Sequence, residues 1–505
     1  MILGGSLLLS FVSGCSTKSP YSFYAATELN ISDFGKKEGR NYHRPAAYSN
    51  LKYEGGELPS DLSSVYSVGQ KRHVIDSVGR PYLTVIPVDF SDYPSSNIDP
   101  EATSHIKKAF FGDKSGNNFF SVREFYDKSS YHRLQIEGEV VNRFFRPSYT
   151  AATLSGLNNA NRTGDALKRI YAEAVEWYNG LGFNRTLAEG DPIYFVYATP
   201  YATGKNRRSN MFWAFVINNP APIGWSSYHM LNVDASGRVD AHTCIHECGH
   251  LLGLDDYYDS DFTSDPSPVS PLGRFDMMDC SLGDHGAFSK MLMRWGAPYV
   301  VDGACEITLR QSGSNPDFLL LAPEWNGTPF DEYLLLEFYS PSYLNAPDSK
   351  LEYAGGKSLI NPGVKVYHVD ARLGLYESRT KDPVGYFDED SALASFSLAF
   401  HNDNSGTVSG NKVISKGDGF LIQLLDASSG SADLSEFYVA SFEIASRPYN
   451  GENVSFRKAL FGKGDGFCGN KFASFRFNSG KTLPYDFEVT SLTSTEAVIK
   501  VSGKA

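Results

Sequence analysis

Asp240-Ala-His-Thr-Cys-Ile-His246-Glu247-Cys-Gly-His250-Leu-Leu-Gly253-Leu-Asp-Asp256 holds a His-Glu-x-x-His core, then a glycine three residues on and an aspartate three further. On a helix, His246 and His250 lie one turn apart on one face. Both imidazoles can therefore reach a single ion, with Glu247 beside them to take a proton from an attacking water. Gly253 is free to adopt the left-handed conformation that ends a helix and turns the chain back. That turn brings Asp256 toward the same ion as a third ligand. Three protein ligands leave a fourth tetrahedral position for water, which is the arrangement of a catalytic zinc site and not of a closed structural one. The bland alternative is a surface helix with solvated histidines and Gly253 as an ordinary C-cap. It leaves the next two segments of the chain unexplained.

Those segments are Phe275-Asp-Met-Met278-Asp and Asp284-His-Gly-Ala-Phe-Ser-Lys290-Met-Leu-Met-Arg-Trp295. With them the chain resembles the immune inhibitor A family of secreted bacterial zinc metallopeptidases, a metzincin-related group. His246, Glu247, Gly249, His250, Leu252, Gly253, Leu254, Asp256, Tyr258 and Asp259 match the family's first block one by one. The resemblance implies that His246, His250 and Asp256 bind zinc, that Glu247 is the base, and that Met278 floors the metal. Asp255 stands where the family usually has proline, and Arg294-Trp295 replaces Gly-Trp. Some related enzymes place a tyrosine two residues after the turn methionine, where this chain has Cys280. His229 and His285 are the remaining candidates for a transition-state or substrate contact. The resemblance covers about residues 80 to 300 and continues more weakly to the end, through Glu332–Glu337 and Gly363–Asp370.

At 505 residues, 41% hydrophobic and 14% aromatic, the chain has ample material for two or three globular domains. Its 46 basic and 58 acidic residues form no basic cluster, so no nucleic-acid partner is expected. The expected partners are protein or peptide substrates. The apolar run Met1–Val12 ends in Ser-Gly-Cys15, which resembles a lipoprotein box. That implies cleavage before Cys15, a lipid anchor on its thiol and an extracytoplasmic, membrane-anchored protein; an ordinary secretory signal is the alternative. The other five cysteines are an odd number, so a disulfide framework is not what holds the fold. Cys244 and Cys248 share a helical face and read as core residues.

The expected organisation is a signal segment over 1–15, a tether or pro-like segment over 16–75, the catalytic domain over 76–300 and a β-rich domain over 301–505. In the catalytic part, Tyr82–Val88 and Ile193–Tyr197 read as strands. Asp165 is placed to cap a helix carrying Leu167, Ile170, Tyr171, Ala174 and Tyr178 at helical spacing. Met211–Ile217 reads either as a core strand or as an edge strand able to pair with an extended substrate. Beyond 300, short apolar runs at 318–321, 333–336, 420–425 and 497–501 favour a sandwich-like all-β region. The fold class is thus α/β, metzincin-like by resemblance, followed by a β-rich tail. His368 and Asp370 could form a second metal pair or a satisfied strand edge. The acidic run Asp255–Asp265 lacks calcium-loop spacing, so Ca2+ has no supporting motif.

Overall fold

The computed structural model describes residues 35–36, 39–69, 71–157, 160–202, 210–258, 271–273, 275–279, 282–350, 359–377, 380, 382–393, 395–404, 419–427, 459–468, 472 and 475–504. Cys15, Cys280 and the acidic residues from Asp259 to Asp265 lie outside them. The fold is mixed α/β, with two large sheets and few helices. Among the described residues no helix is long and apolar enough to cross a membrane.

The first sheet has five strands in the order Glu137–Val140, Tyr82–Val88, Ile193–Tyr197, Ile223–Ser227, Phe215–Ile217. All pairings are parallel except the last. Side chains alternate between its faces, and the sequence uses this to build two separate cores. Ile86, Val88, Phe195, Tyr197 and Trp225 face the helix Ala160–Gly180, meeting Leu167, Ile170, Tyr171, Ala174 and Tyr178. Leu83, Val85, Tyr194 and Val196 belong to the core on the other side, with Cys244, Ile245, Cys248 and Leu251 of the helix His242–Leu251. Strands covered on both faces need near-continuous apolar runs, which is what Ile-Tyr-Phe-Val-Tyr supplies.

Two local expectations change. Asp165 does not cap the long helix, which begins five residues earlier at Ala160. Thr163 in the added turn is buried, so packing extends the helix past the cap signal. The apolar run Met211–Ile217 is strand only over Phe215–Ile217. Trp213 N donates to Met211 O in a tight turn, and Met211 O also accepts from Trp225 Nε1 at 2.8 Å. What remains is an antiparallel edge strand beside Ile223–Ser227.

The second sheet has seven strands, in the order Gly35–Lys36, Tyr42–Arg44, Tyr299–Val301, Phe318–Leu321, Glu332–Tyr339, Gly363–Asp370, Ile422–Leu424. Glu332–Tyr339 and Gly363–Asp370 pair in register along their full lengths, and every residue of both is buried. The sheet joins strands from residues 35–44 to strands from residues 299–424. Arg44, 1% exposed, fixes its N-terminal strand by donating to Ala297 O at 2.9 Å and to Pro316 O. A four-stranded sheet (Cys305–Arg310, Glu496–Gly503, Tyr485–Leu492, Gly466–Phe467) and a three-stranded one (Pro383–Tyr386, Leu373–Glu377, Phe396–Phe400) complete a β-rich C-terminal half.

Candidate metal centre

Eight of the ten residues of His242–Leu251 are buried, so the solvated-helix alternative fails at once. Cys244 and Cys248, both free, pack into the core as expected. His246 and His250 project from the same side, with ring centroids 5.0 Å apart. Gly253 then takes φ +104°, the left-handed conformation its position called for. The chain doubles back and sets Asp256 Oδ1 3.1 Å from His246 Nε2 and 3.2 Å from His250 Nε2.

The opposite ring nitrogens fix the tautomers. His246 Nδ1 lies 2.9 Å from Met277 O and His250 Nδ1 lies 2.7 Å from Leu254 O. A carbonyl only accepts, so both Nδ1 atoms donate and Nε2 is the nitrogen each ring turns toward the Asp256 oxygen, to share a proton or an ion with it. Such outer hydrogen bonds are how metal-binding imidazoles are usually oriented. Two ligand atoms about 2.0 Å from a tetrahedral ion lie about 3.3 Å apart, so the N,N,O set suits zinc in both donor type and spacing. Among the described residues this is the one group of three or more such side chains placed to hold a metal ion.

The charges fit the same reading. Burial works against ionising all three groups, yet Asp256 raises His250 to about 9 and raises His246 as well, while both imidazoles hold Asp256 well below the usual carboxylate range. One carboxylate between two imidazoles attracts positive charge, which a divalent cation satisfies better than two shared protons. Glu247 is 5% exposed, and burial raises its pKa. Among the described residues its Oε2 has no hydrogen-bond partner. An unpartnered carboxylate oxygen at this depth is costly unless something else uses it.

Met278 sits under the helix. A Cβ added at Gly249 would lie 2.5 Å from Met278 Sδ and 3.4 Å from Tyr126 Oη, so any larger residue there must displace the Met278 side chain. Asp276 holds that turn, accepting from Met278 N at 2.9 Å and Gly286 N at 2.6 Å. Burial pushes Asp276 up to about 6. The C-terminal half reaches the same region: Lys365 Nζ donates to Phe275 O at 2.9 Å, Leu424 N to Pro271 O at 2.9 Å and Asn404 Nδ2 to Tyr257 O at 3.1 Å.

Neither of the two further histidines belongs to the group of His246, His250 and Asp256. His229 is exposed, its Nε2 3.1 Å from Ala198 O. His285 is 2% exposed and packed among Phe125, Tyr126 and Trp295, with no hydrogen-bond partner for either ring nitrogen among the described residues. Burial keeps it neutral. His368 shares Glu332 and Gln423, and Asp370 shares Arg372, inside the second sheet. Both are satisfied by protein partners, though on a strand paired on both sides and not at a sheet edge. Tyr258, whose ring faces that of His246 with centroids 6.3 Å apart, and the braces Asp276, Lys365 and Asn404 had no role assigned from sequence. For Asp276 a signal existed in its place within Phe275-Asp-Met-Met278. For Lys365 and Asn404 there was none.

No protein-family model matches the chain. It is 25% identical over an aligned 260 residues to the pre-pro-metalloprotease PrtV in two strains of Vibrio cholerae serotype O1, covering 40% of this chain and 27% of that protein. The chain thus spans about a quarter of the length of the curated relatives it matches. A solved structure, OgpA from Akkermansia muciniphila, overlays at a TM-score of 0.23 with 11% identity, across 55% of this chain and 76% of that one. That overlap is too low to bear on the fold. The chain is thus distantly similar to a metalloprotease.

Proposed function

We propose that this chain is a zinc-dependent endopeptidase of the immune inhibitor A type, hydrolysing peptide bonds of protein substrates. The observation that carries the reading is the meeting of His246 Nε2, His250 Nε2 and Asp256 Oδ1 beside the buried, unpartnered Oε2 of Glu247. The distant metalloprotease relatives support it.

Zinc, when bound, supplies a Lewis acid that polarises the scissile carbonyl and makes water nucleophilic near neutral pH. His246, His250 and Asp256 would hold it. Glu247 accepts the proton of the attacking water on its free oxygen and passes it to the departing amine. Met277 O and Leu254 O keep both imidazoles in the tautomer that offers Nε2. Among the described residues the edge strand Phe215–Ile217 pairs on one side only, and an extended peptide can add to the other as a further strand.

Extracytoplasmic location and lipid anchoring through Cys15 belong to the same proposal. Cys15→Ser should move the protein from the membrane to the soluble fraction, and an unmodified, wholly soluble wild type contradicts the anchor. The central test is Glu247→Gln. Zinc by elemental mass spectrometry should stay near one ion per chain, while casein hydrolysis drops by roughly 10²-fold to 10⁴-fold, the usual range for losing a general acid–base group. A variant that keeps full activity ends the metallopeptidase reading.

A further inference from the structure

Two adjacent acids follow Gly253, and only one faces the histidines. Asp256 meets His246 and His250, whereas Asp255 Oδ1 meets Arg72 Nη1 at 3.2 Å. Arg72 lies over the Tyr66 ring, 4.3 Å from its centroid. Tyr66, 1% exposed, donates its hydroxyl to Gly253 O at 2.9 Å. The contacts continue along this segment. Ile75 N donates to Leu251 O at 2.9 Å, and Asn218 Nδ2 bridges His73 O at 3.0 Å and His250 O at 3.3 Å. A Cβ at Gly253 would lie 3.1 Å from the Tyr66 ring and 3.2 Å from Val74 Cγ1, so the segment is packed directly on the turn.

The last carbonyls of a helix have no partner within it, and here remote residues take up those of His250, Leu251 and the following Gly253. A turn with glycine at its hinge can present either of two consecutive carboxylates with a modest change of backbone angles. The arginine removes that freedom by occupying one of them. We infer that Tyr66 and Arg72 are positioning residues for the metal ligand Asp256: together they hold the post-helix turn in the register that turns Asp255 outward and Asp256 onto the histidines. The inference rests on the metallopeptidase reading and adds to it a segment about 180 residues upstream of the turn.

The test uses the full chain loaded with cobalt(II), whose visible spectrum reports the ligand set, alongside zinc release to a chelator and separate kcat and KM for a peptide. Tyr66→Phe removes one hydroxyl and keeps the ring, so it tests the clamp without emptying the core. Arg72→Ala should alter the cobalt spectrum, speed metal release by about tenfold to 100-fold, the range for lost outer contacts, and lower kcat more than KM changes. Tyr66→Phe should move the same readouts less, and Arg72→Lys should recover part of the loss. Wild-type spectra and metal retention in both Arg72→Ala and Tyr66→Phe, whatever their stability, overturn the inference while leaving the peptidase reading intact. So does metal loss in Asp255→Ala without loss in Asp256→Ala. A wild-type chain that binds no metal and cleaves no peptide removes both readings together.

Discussion

The helix His242–Leu251 and the turn after it deliver side chains to one His-His-Asp cluster but are held by different forces. The helix is fixed by apolar burial: Cys244, Ile245, Cys248 and Leu251 are at most 1% exposed and pack on the first sheet. The turn is fixed by hydrogen bonds from distant places, with Tyr66 on one side, Asn404 on another, and Ser289 Oγ at 2.9 Å from Tyr257 Oη. Apolar packing tolerates small shifts in direction but not in volume, while polar braces tolerate neither loss of a partner nor a change of charge. Volume changes should therefore damage the helix side, and charge changes the turn side.

The largest expected effect tests the polar braces. Helix Ala287–Leu292, which carries Ser289, is anchored by Lys290, whose Nζ reaches Asp284 Oδ2 at 2.6 Å, Tyr131 Oη at 3.1 Å and Ser312 O at 3.1 Å, all buried. Lys290→Met leaves the Asp284 charge buried without its cation, at a cost of about 3–5 kcal/mol. Urea unfolding measures it. A loss near zero would mean that the pair contributes nothing and that the polar side of the comparison is weaker than its contacts indicate.

Next is the helix side. Gly249→Ala forces a methyl into the space of Met278 Sδ, 2.5 Å from the new carbon. Overpacking of this kind costs about 1–3 kcal/mol. Metal retention should also suffer, because Met277 O orients His246 from the same turn. Unchanged melting temperature and metal content in Gly249→Ala would show that the Met278 turn yields freely.

The smallest effect is in pH dependence. Asp276 has its folded pKa raised to about 6 by burial, against about 3.9 when unfolded. The folded state then binds that proton more tightly. Its contribution to stability is present below about pH 4 and is lost as pH rises through about 6. Asp276→Asn should flatten this limb of the stability profile between about pH 4 and 7. Parallel profiles for wild type and variant would remove Asp276 as the titrating group.

Local sequence was enough for much of the site. His246, Glu247 and His250 needed only helical spacing, and Gly253 needed only the rule that glycine accepts positive φ. The strand Phe318–Leu321 and the middle of Glu332–Tyr339 were legible because apolar runs have few other ways to bury themselves, whereas Gly363–Asp370 was legible only through the resemblance. The long helix was legible in type but not in its start, since burial of Thr163 outweighed the Asp165 cap signal.

By itself, then, the sequence determined which residues could bind a metal and on what kind of element they lie, because a helical repeat and a glycine hinge act over a few residues. Only the tertiary structure decided that Arg72 takes up Asp255 while Asp256 meets the histidines, that His285 is packed in the core, and that Tyr42–Arg44 shares a sheet with strands from Tyr299 to Leu424. Those outcomes depend on contacts such as Tyr66 to Gly253 and Asn404 to Tyr257, made between residues 187 and 147 positions apart. A pairing at that distance leaves no periodicity in the chain, and it exists only once burial has brought the partners together.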